Sequence, residues 1–349
     1  MKKIKKLLHK NLYLYDLTLR LSFKKYNREM IDFTKRISKI DPIMNYEYFR
    51  VVMKEIPKFE LKDVYTLKRS FSENLLYGHA FNLLKYAGLS EKNMFYVPVL
   101  EHGIPYSSIF DAEKYKLNNT YIFQGKNNKK SWDCKKRTSA YYIGPYIHYC
   151  SGIYDNQTIL DLKKKNGLTA LIFLPHSIET NSFKVNVQKI IDDFKKIKGL
   201  EIKTVLACVY CMDATNIQII DDDSIKFVSA GFKLDNNFIR RLKSILELAD
   251  IVYYSSFSSS IGYAYYLNKK IICNPTEDDL EELKKMADNS AVEKMLKLQE
   301  LFGIHSVGND QLKYDFINKY WGLEEIKTPE EIRMIIKKNR LRIIRHFGF

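Results

Sequence analysis

Between residues 170 and 273 the chain alternates short apolar runs with helix-like patterns, and this alternation constrains the fold more than any other feature. Apolar runs of about four to eight residues are typical of buried strands, whereas apolar residues three and four positions apart indicate helices. Strands are predicted at residues 170–174, 203–209, 225–229, 251–254 and 270–273, and helices at 185–197, 236–248 and 259–267. Because strands that alternate with helices form covered parallel sheets, this half is predicted to be a doubly wound α/β domain.

The first half has a similar but less regular pattern. Strands are predicted at residues 64–67, 95–100, 120–123 and 141–143, a helix at 71–86, and an exposed basic loop at 125–137. At about 150 residues per domain, 349 residues suffice for two domains, and the weak patterning at 151–167 predicts a hinge. The predicted architecture is α/β, with domains at 1–155 and 165–325, a cleft between them, and a basic C-terminal helix at 326–349 that could pack back on the first domain.

The composition excludes several classes of protein. With 46% hydrophobic and 28% charged residues, the chain is neither a disordered tail nor a disulfide-stabilised scaffold. No segment approaches the roughly 20 consecutive apolar residues that span a bilayer, and the first residues lack the apolar core of a secretory signal. The five cysteines are scattered and odd in number, which favours reduced thiols. We therefore expect a globular protein located in the cytoplasm.

The net charge of +16, from 57 basic and 41 acidic residues, leaves three kinds of partner open: nucleic acid, an anionic membrane surface or a phosphorylated small ligand. Both ends carry much of this charge. Residues 1–26 hold eight Lys or Arg against one acid, and residues 331–349 combine six Lys or Arg with apolar side chains. Such segments can rest on anionic headgroups, or they can form helices docked on the core with a solvated basic face. The sequence leaves both interpretations open at each end.

A run of serines follows the predicted strand at 251–254 and opens the next predicted helix. Ser258, Ser259 and Ser260 would lie at the helix N-terminus, where unpaired N–H groups and the positive end of the dipole attract an anion such as a diphosphate. No Gly-x-x-x-x-Gly-Lys-Ser/Thr or Gly-x-Gly-x-x-Gly motif occurs, which excludes the P-loop and dinucleotide-binding classes. The alternative is that one serine caps the helix and the others are surface hydroxyls.

Polar residues also follow the predicted strand at 170–174, at the edge of a parallel sheet where ligands bind. These residues are His176, Ser177 and Glu179. His176 could donate a hydrogen bond to a phosphate oxygen, and Glu179 could accept one from a sugar hydroxyl. The alternative for His176 is a purely structural histidine.

In the first half, Glu101 and His102 follow the predicted strand at 95–100. Either side chain could act as the general base that deprotonates an acceptor hydroxyl, because this task suits a group that titrates near neutral pH. The alternative is a polar turn that Gly103 closes. The two halves would then face each other across the cleft with different chemistry on each side.

Two motifs raise the question of a metal, and neither is strong enough to predict one. Cys208 and Cys211 form a single Cys-x-x-Cys with no second pair, and Cys208 lies in a predicted strand. The three aspartates at 221–223 lie in a predicted turn between strands. The 25 tyrosines are dispersed, without the clustering of a nucleic-acid-stacking surface. We therefore predict neither a metal nor a nucleic-acid partner.

Several segments together resemble a known family. Residues 173–179 (FLPHSIE), 229–232 (SAGF), 248–251 (LADI), 258–264 (SSSIGYA) and 267–270 (LNKK) resemble the donor half of GT-B-type bacterial glycosyltransferases that make capsule, O-antigen or lipooligosaccharide. Residues 101–103 (EHG) and 143–147 (IGPYI) are similar to segments of the same proteins. The resemblance covers roughly residues 90 to 275 and lies in the order and spacing of these segments.

This resemblance implies a GT-B-like α/β fold with two Rossmann-like domains that face a central cleft. It implies an inverting enzyme, with no metal or other cofactor, that transfers a sugar from a nucleotide-sugar donor to a hydroxyl of a surface polysaccharide or lipid-linked glycan. His176 and the serines at 258–260 would hold the donor phosphates, with Ser177 and Glu179 beside them. Gly231 would let the nucleotide approach the backbone, and Glu101 or His102 would be the base.

Two other functions remain open from the sequence. CDP-glycerol glycerophosphotransferases share a similar two-domain layout, which this sequence also resembles. Transfer of a polyol phosphate or another phosphoryl group to a surface polysaccharide is therefore an alternative. A non-catalytic basic protein that binds nucleic acid or lipid would explain the charge but not the polar residues at strand ends in both halves. For the enzyme, the basic ends favour a peripheral position on the inner face of the cytoplasmic membrane.

Overall fold

The computed structural model describes residues 24–57, 72–101, 103, 120–128, 139–175, 186–197, 199–286, 289–306 and 308–347. Two parallel sheets organise this part of the chain. The first sheet contains β1 (Val99–Leu100), β2 (Thr120–Phe123) and β3 (Ser139–Tyr142). The second contains β4 (Thr169–Phe173), β5 (Thr204–Cys208), β6 (Ile225–Val228), β7 (Ile251–Tyr254) and β8 (Lys270–Cys273). All pairs within both sheets are parallel, which confirms the predicted α/β fold class.

The helices connect and flank these strands. In chain order they are α1 (Lys24–Ile37), α2 (Tyr46–Met53), α3 (Ser72–Leu75), α4 (His79–Tyr86), α5 (Asn156–Asn166), α6 (Val187–Lys195), α7 (Phe238–Leu248), α8 (Ser260–Tyr266), α9 (Glu277–Met286), α10 (Asn289–Phe302), α11 (Asp310–Trp321) and α12 (Pro329–Phe347). Side chains that cap the N-terminus fix several starts: Asp155, Asn186 and Asn309 accept a hydrogen bond from the backbone at the third helical residue of α5, α6 and α11.

The second sheet has the strand order β6-β5-β4-β7-β8. The chain starts at the centre with β4, moves outward to β6, returns to pair β7 with β4, and then continues outward to β8. This reversal is typical of doubly wound sheets and places a topological switch point between β4 and β7. Each strand begins and ends within one residue of its predicted position, because continuous apolar runs mark strands that are buried on both faces.

The first sheet follows the sequence less closely. Strand β2 has its predicted bounds, but β1 is shorter than predicted because a 3₁₀ turn at Glu91–Tyr96 precedes it. The predicted strand at 64–67 lies outside the described residues. Within the predicted hinge at 151–167, residues 156–166 form α5, whose first turn Asp155 caps and whose last turn is held by the pairing of Lys163 with Asp250. The hinge itself stays a prediction.

The predicted helix at 71–86 is broken in the structure. A 3₁₀ turn at Leu76–Gly78 separates α3 from α4, and Tyr77 and Gly78 have φ values of 57° and 69°. The Tyr77 N–H donates to the Lys233 carbonyl over 2.6 Å. At Gly78 an added Cβ would lie 2.2 Å from the Asn236 carbonyl oxygen. The break therefore follows from a close approach to the segment before α7, which the local sequence does not encode.

The N-terminal helices α1 and α2 pack on the second sheet. Phe33 of α1 makes an edge-on contact with Phe232, with ring centroids 5.8 Å apart, and Tyr46 of α2 stacks on Phe227 of β6 at the same distance. Both helices share a buried cluster with Ala170 and other residues of β4 to β6. The sequence grouped residues 1–155 with the first sheet, and the packing of these two helices differs from that division because their apolar faces cover β5 and β6.

The C-terminal helix α12 contacts the first half of the chain. The Asn339 amide donates to the Tyr96 carbonyl over 3.0 Å, and the Arg333 guanidinium donates to the Ala87 carbonyl over 2.9 Å. The remaining predicted domain boundaries stay predictions. The donor and acceptor roles of the two halves also stay predictions. No helix within the described ranges is both long and apolar enough to cross a bilayer.

One buried cluster joins the two sheets. It includes Ile122 of β2, Leu171 of β4 and Ile245 of α7, all at most 1% exposed. Helix α7 contacts both β4 of the second sheet and the 3₁₀ turn at Tyr146–Tyr149 that follows β3 of the first sheet. The two sheets are therefore held against each other by a shared core.

Candidate functional site

The switch point between β4 and β7 positions the residues at one end of the candidate site. Phe173 and Tyr254, the last residues of these strands, are register partners with rings stacked 5.1 Å apart. Both strands therefore end at the same level. His176, Ser177 and Glu179, which follow β4 in the sequence, lie outside the described residues. The serine run that follows β7 is described in full.

Two hydroxyls of the serine run serve to begin α8. The Ser258 Oγ accepts a hydrogen bond from the Ser260 N–H over 3.2 Å and lies 2.8 Å from the Ser260 Oγ. The Ser260 Oγ also lies 3.1 Å from the Tyr254 hydroxyl. Burial holds the pKa of Tyr254 well above its usual range, and the Ser260 hydrogen bond opposes this rise only in part. Ser260 is therefore a buried part of the helix start, and its role toward a donor stays a prediction.

Ser255, which follows β7 directly, is not among the donor-binding residues that the sequence predicts. Its side chain is only 2% exposed, and its Oγ has no hydrogen-bond partner in the described part of the chain. A buried hydroxyl without a partner is costly, which makes this position a candidate for contact with a ligand. Its place as the first residue after a strand at the switch point is the signal in the sequence that could have identified it.

The residues after β1 meet the serine run from the other sheet. An added Cβ at Gly103 would lie 2.9 Å from the Ser259 Oγ, so Gly103 and Ser259 are direct neighbours. The Trp321 indole N–H fixes the same loop by donating to the Ser259 carbonyl over 2.8 Å. Glu101 is described two positions before Gly103, whereas His102 lies outside the described residues. The structure thus brings the predicted base segment against the predicted donor segment.

Glu101 is held firmly at the end of β1. Its backbone N–H donates to the Ile122 carbonyl over 2.8 Å, and its Oε2 accepts from the Gln124 N–H over 3.0 Å. The side chain is 8% exposed. Burial raises the pKa values of Tyr146 and Tyr263, and the nearby Glu101 carboxylate raises both further. Two neutral phenols therefore surround a fixed carboxyl group.

Gly231 has a packing partner that the sequence did not reveal. Its φ of +94° is in the region that favours glycine, and an added Cβ would lie 2.7 Å from the Arg241 guanidinium. Arg241 is buried, forms an ion pair of 2.6 Å with Asp235, and donates to the Ser38 and Ile40 carbonyls. The absence of a side chain at Gly231 thus makes room for Arg241. The approach of a nucleotide to the Gly231 backbone stays a prediction.

Both weak metal motifs are part of the packing and turns of the second sheet. Cys208 and Cys211 are buried in the core, and burial raises the pKa values of both thiols to about 12. Asp222 accepts from the Ser224 N–H and hydroxyl, and so shapes the turn before β6. Within the described ranges, no group of three His, Cys, Asp or Glu side chains is placed to hold a metal ion.

Comparisons with known proteins give only distant similarities. No family model matches the sequence. No curated protein matches it either. Among solved structures, the chain is similar to the wall teichoic acid polymerase TagF, with 9% identity, a TM-score of 0.38, and coverage of 68% of this chain and 60% of that one. The match therefore spans less than two thirds of the polymerase.

Two further structures show similarity over more of the chain. MnaA from S. aureus, solved with UDP, is 9% identical with a TM-score of 0.35, and the match covers 84% of this chain and 82% of that one. The α,α-trehalose 6-phosphate synthase from Burkholderia multivorans is 10% identical with a TM-score of 0.28, over 90% and 83% of the two chains.

Proposed function

We propose that this protein is a glycosyltransferase that moves a sugar from a nucleotide-sugar donor to a hydroxyl of a cell-surface polysaccharide or lipid-linked glycan. The observation that carries the proposal is the contact between Gly103 and Ser259, where an added Cβ would lie 2.9 Å from the serine oxygen. This contact puts the end of β1, with its carboxyl group, beside the loop that follows β7. A transfer between two substrates needs a base close to the donor site, and here the proposed base and the proposed donor site come from neighbouring elements.

The donor side of the proposal rests on the switch point of the second sheet. In open parallel sheets, ligands bind outside the carboxyl ends of the strands where the strand order reverses. Here this place lies between β4 and β7, and Ser255 contributes a buried hydroxyl without a partner among the described residues. A donor phosphate oxygen would accept from this hydroxyl. His176, Ser177, Glu179, Ser258 and Ser259 complete the proposed donor side.

The acceptor side of the proposal rests on Glu101 and His102. In the proposed reaction the acceptor oxygen forms a bond to the anomeric carbon as the bond from that carbon to the nucleotide phosphate breaks. Glu101 or His102 takes the proton of the acceptor hydroxyl, and the nucleoside phosphate departs with the electron pair of the broken bond and its negative charge. Hydrogen-bond donors fixed around that charge lower the barrier, because they need no reorganisation during the reaction. Inversion at the anomeric carbon follows from this single displacement.

The test is a thermal-shift panel of nucleotide sugars with their free nucleotides, because a ligand that binds only the folded chain raises its melting temperature. The panel includes UDP-, GDP-, dTDP-, CMP- and CDP-linked donors. We expect one nucleotide class to give a shift in the wild type. The variant Ser255→Ala should bind that donor about tenfold more weakly, because it loses a hydrogen bond to a charged group.

The matched control is Ser151→Ala, which removes an exposed serine hydroxyl away from the switch point. It should bind the donor like the wild type. Equal donor affinity in Ser255→Ala and the wild type would contradict the proposed donor position. A response to a CDP-linked polyol, with transfer of its phosphate group to the acceptor, would replace the sugar by a phosphoryl group as the moiety transferred. No shift with any donor, together with no transfer in the presence of acceptors, would contradict the enzyme.

A further inference from the structure

The C-terminal helix α12 is anchored on one side and open on the other. The anchoring side chains include Ile332, Ile336 and Asn339, each at most 2% exposed. Asn339 donates to the Tyr96 carbonyl, and the Arg340 guanidinium lies 5.1 Å above the centre of the Tyr96 ring. These contacts fix the rotation of the helix about its axis. The residues that point away from the body of the protein are therefore determined.

The outward side of α12 combines apolar and basic side chains. Met334 and Leu341 are 54% and 55% exposed, although both are large and apolar. Exposed basic residues lie between and after them at Lys337, Lys338 and Arg345. Residues three, four and seven positions apart share one side of a helix, so these five form a continuous stripe about 17 Å long. We name these five residues the outer stripe.

The charge of the outer stripe is not balanced locally. No acidic residue occurs after Glu331 in the sequence. Lys337, Lys338 and Arg345 form no ion pair with other described residues, whereas Arg333, nearer the helix start, lies 3.7 Å from Glu330. By contrast, Lys163 on the basic helix α5 is paired with Asp250. The outer stripe therefore offers positive charge that no described acidic side chain pairs with, together with exposed apolar surface.

We propose that the outer stripe of α12 is a docking surface for an anionic lipid bilayer. Lipid headgroups supply the negative charge that complements the three cations, and the interface beneath them accepts the side chains of Met334 and Leu341. A nucleic-acid backbone would satisfy the cations but would leave both apolar side chains in water. The combination of charge complementarity and paired exposed apolar residues thus selects the lipid surface.

The docking surface is separate from the candidate site. Helix α12 contacts Tyr96, just before β1, and Thr120, the first residue of β2, so it lies near the amino ends of these strands. Glu101 and Gly103 follow the carboxyl end of β1. Binding to lipid therefore does not depend on the proposed sugar transfer, and the two proposals can fail independently.

The test is sedimentation of the full chain with vesicles of phosphatidylglycerol and phosphatidylcholine, compared with phosphatidylcholine alone, at physiological salt and without any donor. We expect binding to the anionic vesicles only. The variant Lys337→Glu/Lys338→Glu should bind about tenfold more weakly or worse, because each basic side chain near the surface contributes several-fold to affinity. The variant Leu341→Ser should also bind measurably more weakly, because it removes an inserted apolar group.

Helix α5 supplies the matched controls. Lys164 and Lys165 are exposed there, and Leu160 is 61% exposed. The variants Lys164→Glu/Lys165→Glu and Leu160→Ser change the same charge and the same apolar group, so they should bind vesicles like the wild type. The melting temperature of each variant verifies that it is folded.

Three results would overturn the proposal. The first is equal vesicle binding by the α12 variants and the wild type. The second is an equal loss in the α5 variants, which would show that only net charge matters. The third is unchanged vesicle binding in Leu341→Ser together with tight binding of single-stranded RNA that Lys337→Glu/Lys338→Glu abolishes, which would assign the outer stripe to nucleic acid.

Discussion

The two sheets differ in where their structural information comes from. The strands of the second sheet have four or five residues, and three of the four connections between consecutive strands contain a helix. The first sheet has a strand of only two residues, and its loops are shaped by distant segments. An added Cβ at Gly125 would lie 2.6 Å from the Tyr320 backbone, and one at Gly144 would lie 2.9 Å from Ile326. Strands that are buried on both faces are therefore readable from local sequence, whereas loops that distant segments shape are not.

The largest expected effect concerns the second sheet and the helices that cover it. Arg241→Ala leaves the Asp235 carboxylate buried without its ion-pair partner, with only the Asn237 N–H still donating to it, and removes the donors to the Ser38 and Ile40 carbonyls. We expect the free energy of unfolding to fall by about 3–5 kcal/mol, measured by chemical denaturation. The control is Arg36→Ala, which breaks an exposed ion pair with Glu55 and should cost less than about 1 kcal/mol. Similar losses in both variants would contradict the account.

A smaller effect tests whether the break between α3 and α4, in the first half of the chain, depends on its contact with the second half. Gly78→Ala and Gly199→Ala both place a side chain at positive φ, which costs about 1–2 kcal/mol. Only Gly78 lies against another segment, since nothing lies within 4 Å of a Cβ at Gly199. Gly78→Ala should therefore cost a further 1–3 kcal/mol or so from overpacking against Asn236. Equal unfolding free energies of the two variants would show that the contact does not hold the break between α3 and α4.

The smallest effect concerns a polar link between the regions. The His148 Nδ1 lies 2.7 Å from the Tyr266 hydroxyl, and burial, with Lys243 nearby, lowers the pKa of His148. A lowered histidine pKa means that the unfolded chain binds the proton more tightly, so stability is lost as the pH falls below the usual histidine value near about 6.5. Because His148 is only half-buried, we expect less than about 1 kcal/mol.

The check is the melting temperature between about pH 7.5 and about pH 5. His148→Gln should show a shallower decrease than the wild type. His305→Gln, which changes an exposed histidine, should follow the wild type at every pH. A slope in His148→Gln that matches the wild type would remove this link from the account.

The sequence predicted the second sheet because its strands are continuous apolar runs, and it predicted a polar edge because Glu101 and the serines follow strands. It did not predict the break at Tyr77 and Gly78, since the cause lies more than 150 residues away at Asn236. It also grouped α1 and α2 with the first sheet, because the pattern of an amphipathic helix does not indicate which sheet the helix packs on.

The sequence indicated residues on both sides of the candidate site, but it did not indicate that the two sides are in contact. The contact between Gly103 and Ser259 depends on how the two sheets pack, and no local pattern encodes that geometry. The pattern favours the serines at the helix start over Ser255, because helix starts are the better-known anion sites, whereas the burial of Ser255 shows only in three dimensions. The sequence likewise predicted that Ser260 binds the nucleotide-sugar donor, but it did not indicate the hydrogen bonds that Ser260 forms with Tyr254 and Ser258.

The most direct test of the account measures the donor dissociation constant and kcat for two variants, one in each region. Ser255→Ala should weaken donor binding, whereas Glu101→Gln should leave donor binding unchanged and lower kcat by about 10²- to 10⁴-fold through loss of the base or of its positioning. Glu91→Gln, an exposed change in the first region, should affect neither quantity. Loss of donor binding in Glu101→Gln with kcat intact, or no effect of either variant, would contradict a site shared between the two sheets.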